Sequence, residues 1–128
     1  MYQSVRRQTG LPNTMRGTVE DNVEVAMLNE INNCIRDTLN PSKVILFGSR
    51  ARGEESPDSD FDILVLVKNL KNKKQLYAEL RYKLYSRGIV CPMDIIIQDL
   101  DKYTELITEP WYIYKNINEE GKVIYDRT

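Results

Sequence analysis

Asp60 and Asp62 stand one residue apart at the start of an apolar run, and Asp94 stands near the start of another. In an extended strand residues i and i+2 face the same way, with Cα atoms about 6.5–7 Å apart at a rise of ~3.3 Å per residue. Carboxylates held that close at the mouth of a buried strand repel each other, and the arrangement makes sense if a cation sits between them. If the strand bearing Asp94 pairs with the one bearing Asp62, all three carboxylates meet at one spot. Such an oxygen-rich cluster could hold a pair of divalent ions about 3.5–4 Å apart. The chain has no histidine, which excludes an imidazole base and a His-ligated zinc. Any metal must then rest on carboxylates, which suits a hard cation such as Mg2+ or Mn2+. A lone aspartate at a strand end usually caps a turn or faces solvent. It is the set of three on apolar strands that points to chemistry.

Just upstream lies Phe47-Gly48-Ser49-Arg50-Ala51-Arg52-Gly53. A glycine directly after a buried strand lets the backbone turn sharply and approach a ligand. If a helix begins at Ser49, its free N–H groups and positive dipole end would cradle phosphates. The Ser49 hydroxyl could donate to a phosphate oxygen, and Arg50 or Arg52 could add charge. Loops of this composition are common, so the element gains weight only from the aspartates that follow it.

The elements that must position these groups are readable from periodicity. Val23, Met27, Leu28, Ile31, Cys34, Ile35 and Leu39 have helical spacing, with Asp21 as an N-cap and Asn40-Pro41 as the stop. The continuous apolar runs at 43–47, 61–67 and 93–97 predict strands buried on both faces. Residues 71–87 predict a helix whose inner face is Leu76, Tyr77, Leu80 and Leu84, ended by Gly88. Ser56-Pro57-Asp58 is a turn signal. The tail predicts helix over parts of 100–117 and a short strand at 122–125. The order predicts an α/β (α+β) fold, a mixed sheet with helices packed against it.

A chain of 128 residues supports one core. Residues 1–18 carry Gly10, Pro12 and Gly17 with little periodicity, and are expected to form a flexible N-terminal extension to a domain spanning 19–128. They lack the apolar core of a signal peptide, and no apolar run reaches the roughly 18 residues of a membrane span. A cytoplasmic protein without a membrane partner is expected. Cys34 and Cys91 match no zinc spacing and read as buried thiols. Net charge is −1, yet residues 68–87 hold seven basic side chains and one acidic. That stretch reads as a solvated helix face, or else as a docking surface for an acidic partner or nucleic acid. Trp111, Tyr112 and Tyr114 read as packing, or as groups that stack on a base.

Gly48-Ser49, ten intervening residues and Asp60-Phe61-Asp62 match the G-S-x10-D-x-D signature of the DNA polymerase β nucleotidyltransferase superfamily. The segment VILFGSRARGEESPDSDFDILV resembles the minimal nucleotidyltransferases, small proteins often encoded beside a HEPN-domain partner. The resemblance runs from about 22 to 125 and implies the polymerase β-like nucleotidyltransferase fold. It further implies that Asp60 and Asp62 hold two Mg2+ (or Mn2+) ions, that Asp94 is the third catalytic carboxylate, and that Gly48 and Ser49 contact the β and γ phosphates of ATP. The activity it implies is transfer of AMP to a hydroxyl, above all a tyrosine of a HEPN ribonuclease toxin, with this chain as antitoxin. Direct nucleic-acid binding is not expected. Two other readings stay open: a small-molecule or nucleic-acid acceptor brought by a separate subunit, and a non-catalytic antitoxin that neutralises by binding.

Overall fold

Apolar runs without polar alternation need cover on both faces, and the architecture supplies it. The structure, a computed structural model, describes residues 19–54, 59–110 and 112–128. Four strands, β1 (Lys43–Phe47), β2 (Phe61–Val67), β3 (Met93–Asp99) and β4 (Lys122–Asp126), form one sheet in the order β3-β2-β1-β4. β2 and β3 are parallel, and β1 runs antiparallel to both β2 and β4. The helices are α1 (Val19–Leu39), α2 (Ser49–Arg52), α3 (Lys73–Ser86), α4 (Leu100–Leu106) and α5 (Tyr112–Glu120).

Two cores result, one on each face. Leu28, Ile31 and Ile35 of α1 and Leu80 and Leu84 of α3 pack with Val44, Leu46, Ile63, Val65, Ile95 and Ile97. On the other face Tyr103 of α4 and Ile117 of α5 pack with Ile45, Leu64 and Leu66. Alternation along β2 therefore sends Phe61, Ile63 and Val65 to the first core and Leu64 and Leu66 to the second. Asp62 shares the face of Leu64, and Asp94 that of Ile96, so both lie on the α4/α5 side.

Local chemistry explains the element ends. α1 starts at Val19, so Asp21 lies inside the helix and does not cap it. Asn40, ahead of Pro41, takes the left-handed conformation (φ 49°) and ends it. Gly88 (φ 74°) stops α3: its N–H donates to Tyr85 O and that of Ile89 to Leu84 O, both at 2.9 Å. β3 continues past the expected 97 to Asp99, whose side chain caps α4 by accepting from Lys102 N–H at 3.1 Å. The tail divides into two helices, with Pro110, which lacks an N–H, in the break.

Tyr114 belongs to the second core, edge-on to Tyr103 with ring centroids 6.0 Å apart, and its hydroxyl accepts from Gln98 Nε2. Trp111 and the side chain of Tyr112 lie outside the described residues, as do the expected extension at 1–18 and the Ser56-Pro57-Asp58 turn. Cys34 and Cys91 are free, the first buried and the second partly so. Along α3 only Leu80 and Leu84 are fully buried, which leaves its lysines together with Tyr77, Tyr82 and Tyr85 facing outward. No helix among the described residues is long and apolar enough to cross a membrane.

Candidate active site

Register decides whether the aspartates meet. Parallel pairing of β2 and β3 sets Asp62 directly opposite Asp94, and adjacent strands lie about 4.8 Å apart. Antiparallel pairing on the other side sets Phe47 opposite Asp62. The next residue, Gly48, then abuts the carboxylate: a Cβ placed there would overlap Asp62 Oδ2 and stand 3.0 Å from Asp62 Cγ. Gly48 has φ 76° and ψ −159°, a conformation essentially closed to other residues. Asp60 is one residue ahead of β2 and exposed.

The crowding carries an electrostatic consequence. The Asp62 carboxyl is raised above its ordinary value, first by burial and then by the neighbouring charges of Asp94 and Asp60. Arg52 and Arg50 pull it the other way, by a smaller amount.

Ser49 opens α2, as expected, but the helix is a single turn closed by Gly53 (φ 74°), so it contributes first-turn N–H groups and little macrodipole. Arg52 is on the open side, with its side chain 43% exposed, and pairs with Glu54 at 3.0 Å and Glu120 at 3.8 Å. Arg50 departs from its expected role as a phosphate ligand. It is 3% exposed, and its guanidinium donates to Glu24 Oε1 at 2.7 Å and twice to the Ser59 carbonyl, at 2.7 and 3.2 Å. A buried fork with these partners is committed inside the fold.

Beside Gly48 opens a cleft of about 400 Å3. Phe47, Gly48 and Arg52 form one wall; Ile113, Asn116, Ile117 and Glu120 of α5 form the other. Sequence reading left out the α5 residues, because nothing in their spacing ties them to a site more than sixty residues away in the chain. Glu24 was equally hidden, as one polar position of an amphipathic helix.

The donors suit a hard divalent cation. All three are carboxylates, and a cation would relieve the repulsion from Asp94 and Asp60 that, after burial, raises Asp62. Among the described residues, no three His, Cys, Asp or Glu side chains are gathered tightly enough to hold an ion as they stand.

Residues 29–128 match the family described as "Polymerase beta, Nucleotidyltransferase". The chain belongs to the polymerase beta nucleotidyltransferase family. This nucleotidyltransferase is 33% identical over 84 residues to "Putative protein adenylyltransferase MJ0604" of Methanocaldococcus jannaschii, covering 65% of the chain and 77% of the relative. A second protein of that organism, "Putative protein adenylyltransferase MJ0141", is 44% identical over 46 residues, covering 36% of the chain and 44% of the relative. Among solved structures, a toxin–antitoxin crystallised with AMP-PNP superposes with a TM-score of 0.55 at 26% identity, covering 77% of this chain and 72% of the other. A protein described as "a putative nucleotidyltransferase from Sulfolobus solfataricus" shares the fold (TM-score 0.56, 22% identity, 88% and 91% covered). So does a variant of the toxin–antitoxin MntA–HpeT in which two aspartates two positions apart are glutamate (TM-score 0.54, 25% identity, 77% and 72% covered).

Proposed function

We propose that this nucleotidyltransferase moves AMP from ATP to a protein hydroxyl, forming a phosphodiester to the hydroxyl oxygen as the α–β bond breaks, with pyrophosphate and the hydroxyl proton released and Asp60, Asp62 and Asp94 as the ligands of its divalent ions. The observation that carries the reading is the pairing of Asp62 with Asp94 on one face, closed against Gly48. Bound Mg2+ would supply charge neutralisation of the triphosphate and of the attacking oxygen.

The chain's own groups do the rest. Gly48 leaves the carboxylate of Asp62 room beside the phosphate loop. The N–H and hydroxyl of Ser49 would donate to the β and γ phosphates, and Arg52 would exchange its two carboxylate partners for phosphate oxygens. The cleft between that loop and α5 takes the nucleoside, with apolar walls from Phe47 and Ile113 and an amide from Asn116 to hydrogen-bond it. Asp60, Asp62 and Asp94 would hold the ions, and the ions would relieve the mutual repulsion of the carboxylates. Asp94, exposed at the outer strand of the pair, is the carboxylate nearest an incoming acceptor.

Residues 19–128 make up the catalytic domain, and the acceptor is a tyrosine of a HEPN-domain toxin that this chain silences in the cytoplasm. Support comes from relatives named protein adenylyltransferase and from solved neighbours that are toxin–antitoxin pairs, one of them holding AMP-PNP. The glutamate-for-aspartate variant of one pair alters aspartates with the same spacing as Asp60 and Asp62. The test incubates the purified chain with Mg2+, α-labelled ATP and the product of the adjacent gene, and follows the label by gel and mass spectrometry. AMP on a partner tyrosine, absent with Asp62→Asn, is the expected result. Loss of the partner's nuclease activity without any label would overturn transfer in favour of inhibition by binding.

A further inference from the structure

Asp60 lies outside every strand and is exposed, so neither sheet pairing nor burial fixes it. Its two chain neighbours are fixed instead. Behind it, the Ser59 carbonyl accepts from both Nε (3.2 Å) and Nη2 (2.7 Å) of Arg50. Ahead of it, Phe61 N–H donates to Pro92 O at 3.1 Å, which ties this backbone to the segment that enters Asp94. The Arg50 guanidinium also lies 4.1 Å over the Phe61 ring. Its remaining arm reaches Glu24 Oε1 of α1 at 2.7 Å, and the arginine side chain there is only 4% exposed.

From this geometry we infer that Arg50 is a positioning residue for the metal site: held by Glu24, it orients the Ser59–Asp60 peptide and so sets where the Asp60 carboxylate stands. A peptide unit is planar, so a fork that chelates the Ser59 carbonyl also fixes the direction of the Asp60 N–H and the position of its Cα. Only arginine can do this from a buried site. Its rigid fork presents Nε and Nη2 together to one oxygen while Nη1 holds the carboxylate; a lysine ammonium is a point charge on a flexible stem. Glu24 neutralises the buried cation and fixes the direction of the fork. The inference rests on Asp60 being a metal ligand, as proposed above.

The test measures Mn2+ binding to the full chain by calorimetry without nucleotide, alongside thermal unfolding, for wild type, Arg50→Lys and Glu24→Gln. Partners that orient a metal ligand typically change affinity about 10- to 100-fold when removed. Arg50→Lys is expected to fold and to lose affinity in that range. Glu24→Gln, which keeps an oxygen acceptor for Nη1, should lose less, and its kcat should fall with KM for ATP unchanged. Glu24→Gln also serves if Arg50→Lys does not fold. Wild-type Mn2+ affinity in both folded variants, or in Glu24→Gln alone if it is the only one to fold, overturns the clamp and leaves the site standing. If the wild type gives no isotherm alone, the three titrations are run with a non-hydrolysable ATP analogue, and no Mn2+ isotherm there overturns the site and the clamp with it.

Discussion

Gly48→Ala is the perturbation that probes the site most sharply, because two separate penalties can be worked out from the geometry. The first is conformational. At φ 76° and ψ −159° the backbone is in a region open essentially to glycine, and holding another residue there costs about 1–3 kcal/mol. The second falls on Asp62. The added Cβ would overlap Asp62 Oδ2 and stand 3.0 Å from its Cγ, where ordinary contact is 3.4–4 Å, so Cγ must retreat by roughly 0.4–1 Å and the oxygen by more. A displacement of about 1 Å at reacting groups can cost on the order of 100-fold in rate. The variant should therefore remain folded with a lowered urea midpoint, yet lose kcat by roughly two orders of magnitude. Initial rates of label transfer at saturating ATP and Mg2+, with unfolding curves on the same preparation, separate the two effects. A folded Gly48→Ala with wild-type kcat would refute the claim that Gly48 exists to make room for a working Asp62.

Other expectations follow from the same contacts. The folded-state pKa of Asp62 is raised, so folding favours its protonated form; metal-free stability should fall as pH rises from 3.8 through the raised value. Asp62→Asn should remove that slope, unfold no more easily than wild type at neutral pH without metal, and transfer no label. Arg52→Ala removes an exposed cation poised between Glu54 and Glu120; KM for ATP should rise about tenfold with a smaller change in kcat, read by steady-state kinetics. Gly121→Ala would set a Cβ 2.5 Å from both Ile117 O and Ile45 Cγ2. Urea titration should show a loss of about 1–3 kcal/mol.

The parts of this protein that could be read from sequence are those with a local physical signature. The runs at β1, β2 and β3 are apolar without alternation because helices cover both faces of the sheet, and that pattern survives in the sequence as written. The Asp-x-Asp pair and the glycine after β1 sit at strand ends and each carries a local signature, although the antiparallel register of β1 and β2 is what brings them together. What spacing could not give was the parallel register that sets Asp62 opposite Asp94; it depends on a crossover through α3 and on packing across the whole sheet. Arg50 shows the limit most clearly. Next to a glycine-serine turn, an arginine reads as a phosphate ligand, and only the tertiary position of Glu24, twenty-six residues earlier, turns it inward. Ile113 and Asn116 are similar: they join the cleft because α5 folds back over the sheet, and no motif announces that.

The central claim is that Asp60, Asp62 and Asp94 together hold the divalent ions used for nucleotidyl transfer. Its most direct test is a crystal of the chain grown with Mn2+ and a non-hydrolysable ATP analogue, with data collected at the manganese absorption edge. Anomalous peaks should appear about 2.1–2.2 Å from carboxylate oxygens of Asp60 and Asp62, one of them also touching Asp94. Nucleotide bound in the cleft with no manganese on these three side chains, or manganese held elsewhere, would contradict it.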